Sequence, residues 1–306
     1  MVNSPRSASL DGVIGARQPV SSDNPGWKGA GIPSLRRFLG KQLDRVRRSI
    51  AVKEYSVARN VALAALADFF NFYTPRRFFP QVYCPCCSWS GPGFLATANW
   101  RAATFQSKCP QCDSRSRHRG LVGLLPRIIE GIPDGPILVF APERIMLNQL
   151  AHRSSLPVET TDFRSRDVDH PGEDVQHLTF ADAQYTMILC NHVLEHVPDD
   201  QQALKECARV LKDGGIAVFT VPGDFPKRET WTFDQPDSNG HYRHYGMDIV
   251  SKMEHAFQVV EAIELSSVAE RNWRVRKNDF AFVCRQGVEH HKHIFADVAS
   301  RKPGKA

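Results

Sequence analysis

Apolar stretches alternate with amphipathic stretches through residues 137–285, and this alternation is the clearest structural signal in the sequence. The stretch 199–212 has helical spacing, a candidate N-cap at Asp199 or Asp200, and a candidate C-cap at Gly214. The short apolar runs predict strands at 137–141, 158–162, 175–178, 185–190, 216–221, 258–265 and 278–285. Strands that alternate with helices in this way are typical of a mostly parallel sheet with helices on both faces. We therefore predict an α/β fold for this part of the chain.

The rest of the chain divides by composition. Residues 1–32 are rich in Ser, Pro and Gly and have no hydrophobic period, so we predict a disordered leader. Residues 33–80 have apolar positions at helical spacing and many Arg and Lys, which predicts a basic helical region. Residues 81–115 hold a cysteine module, and residues 116–286 form the predicted α/β domain. The polar segment 287–306 is predicted to be a flexible tail.

Charge is concentrated at the N-terminal end. The chain has a formal net charge of +6, yet residues 1–80 carry 13 Lys and Arg against 5 Asp and Glu. We expect the basic helices to pack against the body of the protein; weak contact with a membrane surface is the alternative. No apolar run has the roughly 20 residues that span a bilayer, and the N-terminus lacks the apolar core of a signal peptide. We therefore expect a cytoplasmic protein.

Four of the eight cysteines form two C-x2-C pairs, Cys84 with Cys87 and Cys109 with Cys112, separated by 21 residues. Two such knuckles can place four thiolates at the corners of a tetrahedron, which suits Zn²⁺. Four thiolates fill the coordination shell, so the predicted zinc is structural. Cys86, inside the first knuckle, could replace one of its neighbours as ligand. The other three cysteines, Cys190, Cys207 and Cys284, lie in apolar runs and are predicted to be buried in the core.

Motifs in residues 174–222 resemble those of class I methyltransferases of the type 11 group. They are LTFAD at 178–182, HVLEH at 192–196 after a strand, and RVLKDGG at 209–215 before the next strand. The two cysteine knuckles and GHYRHYG at 240–246 resemble a subgroup with an N-terminal zinc knuckle. The resemblance covers about residues 137–285. It implies S-adenosylmethionine as methyl donor and a Rossmann-like seven-stranded sheet, mostly parallel, with its last strand antiparallel.

Polar residues at the predicted carboxyl ends of the strands are the candidate cofactor ligands, because open parallel sheets bind ligands at that edge. Asp162 closes the second strand, where a carboxylate can accept hydrogen bonds from both ribose hydroxyls. Asp174, with Val175 beside it, lies at a height suited to an adenine amine. Asn191 follows the fourth strand, near the expected position of the reactive methyl group.

The loop after the first strand departs from the family pattern. The methyltransferases that the chain resembles have an acidic-x-G-x-G loop, whereas residues 139–143 here read VFAPE. Ala141 is small enough for a close approach of the cofactor, and Glu143 could bind its amino group. The same departure also fits weakened or lost cofactor binding. A catalytically inactive interaction module is therefore an alternative to the enzyme.

Histidines near the same edge are the candidate bases for methyl transfer to an oxygen or nitrogen. His192 follows the fourth strand and is the first candidate; His241, from the loop after the fifth strand, is the second. Each could equally be a structural histidine bonded to the backbone. Arg243 and Tyr245 could face an acidic or sugar-like acceptor. We expect a small-molecule acceptor.

RNA is the alternative acceptor, since some rRNA methyltransferases share this layout of zinc module and Rossmann domain. The basic leader and a cluster after the last knuckle favour it; the cluster is Arg115, Arg117, His118 and Arg119. Few aromatic residues accompany these charges, although stacking on bases would need them. The H-x-x-E-H pattern of His192 to His196 also matches a zinc-peptidase signature, but Pro198 leaves room for only about one helical turn there.

Overall fold

A computed structural model describes residues 35–73, 81–98, 102–227 and 229–287 of the chain. The predicted disordered leader, and the predicted flexible tail beyond Gly287, lie outside the described residues. The helices are α1 (Leu35–Ala51), α2 (Tyr55–Tyr73), α3 (Ser116–Ile129), α4 (Arg144–Arg153), α5 (Asp200–Val210) and α6 (Ile249–Glu254). The strands before the main sheet are β1 (Val82–Cys84), β2 (Trp89–Gly91), β3 (Leu95–Ala98) and β4 (Ala103–Lys108). Later strands are β5 (Ile137–Phe140), β6 (Val158–Asp162), β7 (His170–Pro171), β8 (Tyr185–Asn191), β9 (Leu211–Thr220), β10 (Trp231–Thr232), β11 (Arg243–His244), β12 (Val259–Glu264) and β13 (Phe280–Arg285).

The main sheet has seven strands in the order β12-β13-β9-β8-β5-β6-β7. Strands β5 to β9 pair in parallel, and β13 runs antiparallel to both of its neighbours. The predicted seven-stranded, mostly parallel sheet with an antiparallel last strand is therefore confirmed. Strand order reverses between β5 and β8, which is where open sheets of this kind bind ligands.

Alternate residues of the central strands face opposite helical layers. Leu138 of β5 packs in a cluster with residues of α5 and α6, whereas Val139 packs with residues of α3 and α4. All seven residues of β8 are buried, as expected for a strand covered on both faces. The cysteines Cys190, Cys207 and Cys284 are buried in the first of these clusters, and burial raises the pKa of each thiol. Their assignment to the core is confirmed.

The third strand differs from the prediction. It is the two-residue β7, and the predicted strand at 175–178 is instead a turn closed on Asp174. The Gln176 and His177 backbone N–H groups donate to the Asp174 side chain (2.9 Å) and carbonyl (2.8 Å), respectively. An aspartate that accepts from its own following backbone favours a turn over a strand.

Helix α5 begins as predicted, since the Asp199 side chain accepts from the Gln202 backbone N–H at 2.9 Å. It ends earlier than predicted, at Val210, because Leu211 pairs with Tyr185 in the sheet. Gly214 is therefore not its C-cap. Gly214 has φ +75 within β9, and its N–H donates to the Gln286 carbonyl at 2.7 Å.

The N-terminal helices lie against each other, and α2 lies against the cysteine module. The Ala96 backbone N–H in β3 donates to the buried Asp68 Oδ1 of α2 at 2.7 Å. On α1 and the following turn, the large apolar side chains of Leu39, Leu43, Ile50 and Val52 are exposed. No helix among the described residues is long and apolar enough to cross a membrane.

Asp68 gives the fold a pH dependence that can be measured. Burial raises its pKa from 3.8 to about 7, against the lowering effects of the Ala96 hydrogen bond and Arg45. The folded state therefore binds this proton more tightly than the unfolded state, and stability contributed at low pH is lost as pH rises from about 4 to about 7. Asp68→Asn keeps an acceptor for Ala96 without the charge, so we expect it to stabilise the protein above about pH 7 by roughly 1–4 kcal/mol. Denaturant unfolding across this pH range, with Asp113→Asn as an exposed control, tests this; parallel pH curves for wild type and Asp68→Asn would contradict it.

Candidate active site and metal centres

The four knuckle cysteines converge in the structure. One sulfur from each of Cys84, Cys87, Cys109 and Cys112 lies within 4.8 Å of the other three. The Cys84–Cys112 and Cys87–Cys109 sulfur pairs are 3.7 and 3.8 Å apart. Four sulfurs placed tetrahedrally at about 2.3 Å from one ion are about 3.8 Å apart, so the donor set fits Zn²⁺. Cys86 is outside this group of four, and its backbone carbonyl accepts from Gln149 Nε2 of α4 at 3.1 Å.

A buried arginine joins the cysteine module to the rest of the chain. Arg119 of α3 is 0% exposed, and its guanidinium lies 4.0 Å from the centroid of the Phe94 ring. It donates to five backbone carbonyls, those of Gln106, Ser107, Ser114, Trp273 and Arg274, at 2.7–3.3 Å. Three of these belong to the module or the turn after it, and two belong to the segment before β13. Burial lowers the pKa of Arg119, and the cysteines nearby partly oppose this lowering by favouring its charged form.

We expect Arg119→Met to destabilise the protein by at least about 3 kcal/mol, because five buried carbonyls lose their donor together. Denaturant unfolding of the zinc-loaded protein, followed by circular dichroism, measures this. Arg166→Met, at an exposed arginine, is the matched control and should change stability by less than about 0.5 kcal/mol. Equal unfolding midpoints for the two variants would show that Arg119 does not hold the segments together.

Glu143, predicted to bind the cofactor, has two partners from α3. Arg117 Nη2 donates to Oε1 at 2.6 Å, and His118 Nε2 lies 2.8 Å from Oε2. His118 Nδ1 accepts from the Arg115 backbone N–H at 3.2 Å, so the proton of a neutral ring is on Nε2 and His118 donates to Glu143. Burial alone would raise the pKa of Glu143, but His118 and Arg117 lower it to about 2. The carboxylate is therefore charged and fixed beside the first loop.

Ala141 has a backbone conformation that usually requires glycine. Its φ is +43, in the left-handed region that residues with a Cβ rarely adopt. The Ala141 N–H donates to the Thr161 carbonyl at 2.9 Å, which ties the first loop to β6 one residue before Asp162. The first loop thus makes the turn without glycine.

Asp162 ends β6 at the carboxyl edge of the sheet. Its Oδ1 accepts from the Arg164 and Ser165 backbone N–H groups, both at 2.7 Å, which fixes the side chain at the start of the loop. Phe163, the next residue, has a large exposed ring with 64% relative exposure. Phe163 was not among the residues predicted for the site, although its ring lies exposed directly after Asp162.

The other residues predicted to bind the cofactor make contacts within the protein. Asp174 follows β7, and its carboxylate accepts from the Gln176 side chain as well as from its backbone. Val175 is 4% exposed and packs in the core. Asn191 is also buried, and its Oδ1 accepts from Thr220 Oγ1 at 2.8 Å. Asn191 therefore links β8 to β9, and His192 is the more accessible group at that strand end.

His192 and His241 both lie near the buried side chain of Glu195. His192 has φ +54 directly after β8, and its Nδ1 lies 3.1 Å from Glu195 Oε1. His241 Nδ1 lies 3.7 Å from Asp237 Oδ2, and its ring centroid is 4.7 Å from that of His196. Burial lowers the pKa of His241, against the raising effects of Glu195 and Asp237. The structure thus brings the two candidate bases to one carboxylate.

Arg243 and Tyr245 are buried, so the expectation that they face the acceptor is wrong. Arg243 donates to the Leu194 carbonyl at 3.1 Å, and Tyr245 Oη donates to Asp200 Oδ2 at 3.0 Å. The Tyr242 N–H donates to the Glu195 carbonyl at 2.7 Å. Residues 240–246 therefore hold the 192–196 turn in place.

Comparisons with known proteins show that part of the main-sheet region is similar in sequence to methyltransferases. Residues 147–219 match the family model described as a methyltransferase domain. The ubiquinone biosynthesis O-methyltransferase of Coxiella burnetii is 35% identical over 54 residues, 18% of this chain and 23% of that protein. The chain thus matches less than a quarter of the length of such curated relatives.

Solved structures are similar at low sequence identity. The 1,6-didemethyltoxoflavin-N1-methyltransferase of Burkholderia thailandensis, solved with bound 1,6-didemethyltoxoflavin and S-adenosylhomocysteine, is 14% identical with a TM-score of 0.42, covering 56% of this chain and 78% of that one. A possible exported protein of Bordetella parapertussis is 15% identical with a TM-score of 0.44, covering 85% and 100%. The strand order and the antiparallel β13 are by themselves those of a Rossmann-like class I methyltransferase fold. Within this fold, residues 147–219 match a methyltransferase domain.

Proposed function

We propose that the chain is an S-adenosylmethionine-dependent methyltransferase that methylates an oxygen or nitrogen of a small-molecule acceptor. The observation that carries this is the set of groups at the carboxyl edge of adjacent parallel strands. Ala141 follows β5 in a left-handed turn, Asp162 ends β6, and His192 follows β8 in a second left-handed turn. The methyltransferase match at 147–219 covers two of these three strand ends.

In this proposal the residues at the carboxyl edge of the sheet bind the cofactor and orient it. Asp162 accepts hydrogen bonds from the ribose hydroxyls, the exposed Phe163 ring packs against the adenine, and Glu143 faces the cofactor's amino group with its remaining acceptor positions. The sulfonium supplies an activated methyl group, so the protein mainly contributes alignment and exclusion of water. With such a cofactor bound, His192 would take the O–H or N–H proton that the acceptor loses on methylation. Glu195 keeps the His192 ring oriented through Nδ1.

We also propose that the four knuckle cysteines hold a structural zinc. The sulfur spacing supports a closed tetrahedral shell, which leaves no position for water or substrate. The zinc in this proposal stabilises the module and, through the segment 115–119, supports the first loop. It takes no part in methyl transfer.

A small acceptor is favoured over RNA because most of the basic cluster after the knuckles is used inside the fold. His118 and Arg119 are buried, and Arg117 pairs with Glu143. Only Arg115 of that cluster is exposed. Phosphate contacts need accessible cations, so this cluster is a poor nucleic-acid surface.

Calorimetric titration of zinc-loaded protein with S-adenosylhomocysteine tests the proposal. We expect saturable binding at one site per chain, weakened by Asp162 substitution. A folded, zinc-loaded protein that binds neither S-adenosylhomocysteine nor S-adenosylmethionine would instead be an inactive interaction module. Transfer of labelled methyl from S-adenosylmethionine, compared between small-molecule and RNA fractions, then separates the two acceptor classes.

A further inference from the structure

A second group of metal-type side chains lies beside the candidate base, outside the cysteine module. One ligand atom from each of Glu195, His196 and His241 lies within 4.8 Å of the other two. Two of these residues are on the turn after β8, and the third is on the loop before β11. A carboxylate with two imidazoles is a donor set typical of open zinc sites and other transition-metal sites.

The buried carboxylate of Glu195 is incompletely satisfied. Its side chain is 0% exposed; Oε1 is 3.1 Å from His192 Nδ1, whereas Oε2 is buried and has no hydrogen-bond partner. Leaving a buried carboxylate oxygen unpaired costs free energy, and native proteins usually provide a donor or a cation for it. A cation between Glu195 and the two histidines would satisfy this oxygen.

His196 is oriented as metal-binding histidines usually are. His196 Nδ1 lies 3.1 Å from the Gly240 carbonyl, which can only accept, so Nδ1 carries the proton and Nε2 keeps its lone pair. Metal-bound histidines commonly donate their other ring nitrogen to a carbonyl or carboxylate in this manner. His241 Nδ1 lies 3.7 Å from Asp237 Oδ2, too far for a hydrogen bond, and this buried nitrogen has no hydrogen-bond partner.

The two segments that carry these residues are fixed to each other. The Tyr242 N–H donates to the Glu195 carbonyl, and the buried Arg243 donates to the Leu194 carbonyl. These bonds involve Glu195 itself and residues within two positions of the proposed ligands. The arrangement is therefore built by the backbone before any ion binds, which lowers the entropic cost of binding.

We propose that Glu195, His196 and His241 bind a divalent transition-metal ion of the Zn²⁺ type, with a coordination position open to an oxygen of the acceptor. Three protein ligands leave such a position, in contrast to the closed shell of four cysteines. Resting on the proposed function, the ion holds an acceptor hydroxyl beside His192 and lowers its pKa, so that its proton passes to His192 before or during methyl transfer. The chemical class implied for the acceptor is then a hydroxylated, metal-chelating small molecule. No oxidation or reduction is involved.

Metal analysis of the full chain tests this without any acceptor. After equilibration with excess Zn²⁺ and gel filtration, we expect about two zinc ions per wild-type chain and about one in His196→Ala, with unchanged circular dichroism. His196 is exposed, so its substitution should not disturb folding; His241→Ala provides a second variant at another ligand. His152→Ala, at an exposed histidine of α4, is the control and should retain both ions.

The outcomes separate this proposal from the proposed function. One zinc per chain in wild type, or equal zinc in wild type, His196→Ala and His241→Ala, would overturn the second site. Loss of one zinc with S-adenosylhomocysteine binding intact would support it and place the ion on the acceptor side. Two zinc ions in a chain that binds no S-adenosylhomocysteine would keep the site while removing the methyltransferase assignment.

Discussion

Cys109→Ser is expected to abolish the proposed zinc binding by the cysteine module and to lose several kcal/mol of folding free energy, the largest effect of any single substitution considered. Cys109 is fully buried, and its sulfur is 3.8 Å from that of Cys87. Zinc binding to such sites supplies about 10–16 kcal/mol in isolated finger peptides at neutral pH, and a serine hydroxyl is a poor replacement for a thiolate. The unfolding midpoint, measured alongside zinc content, gives the effect.

Cys86→Ser is the matched control for that substitution. Cys86 lies outside the group of four sulfurs, and its contact to α4 is made by its backbone carbonyl. It should keep the module zinc and nearly wild-type stability. If Cys86→Ser loses zinc while Cys109→Ser retains it, the ligand set is wrong; if chelation leaves the module folded, its metal is not structural.

Asp162→Asn is expected to weaken S-adenosylhomocysteine binding about 10- to 100-fold, the largest effect expected on cofactor binding. Asparagine Oδ1 can still accept from the Arg164 and Ser165 backbone N–H groups, so the turn after β6 should survive. In the proposed site, the substitution removes the charge and one of the acceptors for the ribose hydroxyls. Charged acceptors contribute about 1.5–3 kcal/mol per hydrogen bond, which sets the expected range. Calorimetric dissociation constants measure it directly.

Asp167→Asn, at an exposed aspartate in the same loop, is the control for Asp162 and removes the same charge. It should leave the dissociation constant within about twofold of wild type, since exposed charges beyond the first contact are screened by salt. Equal weakening by the two variants would show that loop charge, rather than a specific ribose contact, governs binding. Unchanged binding in Asp162→Asn would remove the residue from the cofactor site.

The continuous apolar strands could be predicted from the sequence because they are buried on both faces. Strands β5 and β8 fall within a residue or two of their predicted ranges, since an unbroken apolar run has few other uses. The two-residue β7 could not be predicted, because His170 and Pro171 have no apolar pattern and pair only through neighbouring β6. Its position depends on tertiary contacts that no local pattern contains.

The residues of the candidate site that lie at strand ends could be predicted from the sequence. The residues that support them were harder to predict. Asp162 and His192 could be placed because parallel strands bring their carboxyl ends to one edge. Arg243 was placed wrongly, because a charged residue in a polar loop gives no sign that its guanidinium reaches buried carbonyls. Likewise, the sequence VFAPE shows that the first loop has no glycine. Only the structure shows that Ala141 adopts φ +43 there.

The buried guanidinium of Arg119 has a consequence for dissecting the protein into parts. Composition suggests a cut at residue 115, yet three carbonyls to which this side chain donates hydrogen bonds lie upstream of Ser116. In a fragment that begins there, the buried Arg119 guanidinium would lose most of its carbonyl acceptors. Arg117, which donates to Glu143, would lie in the frayed first turn of α3. Expression trials should therefore treat knuckles and sheet as one inseparable folding unit.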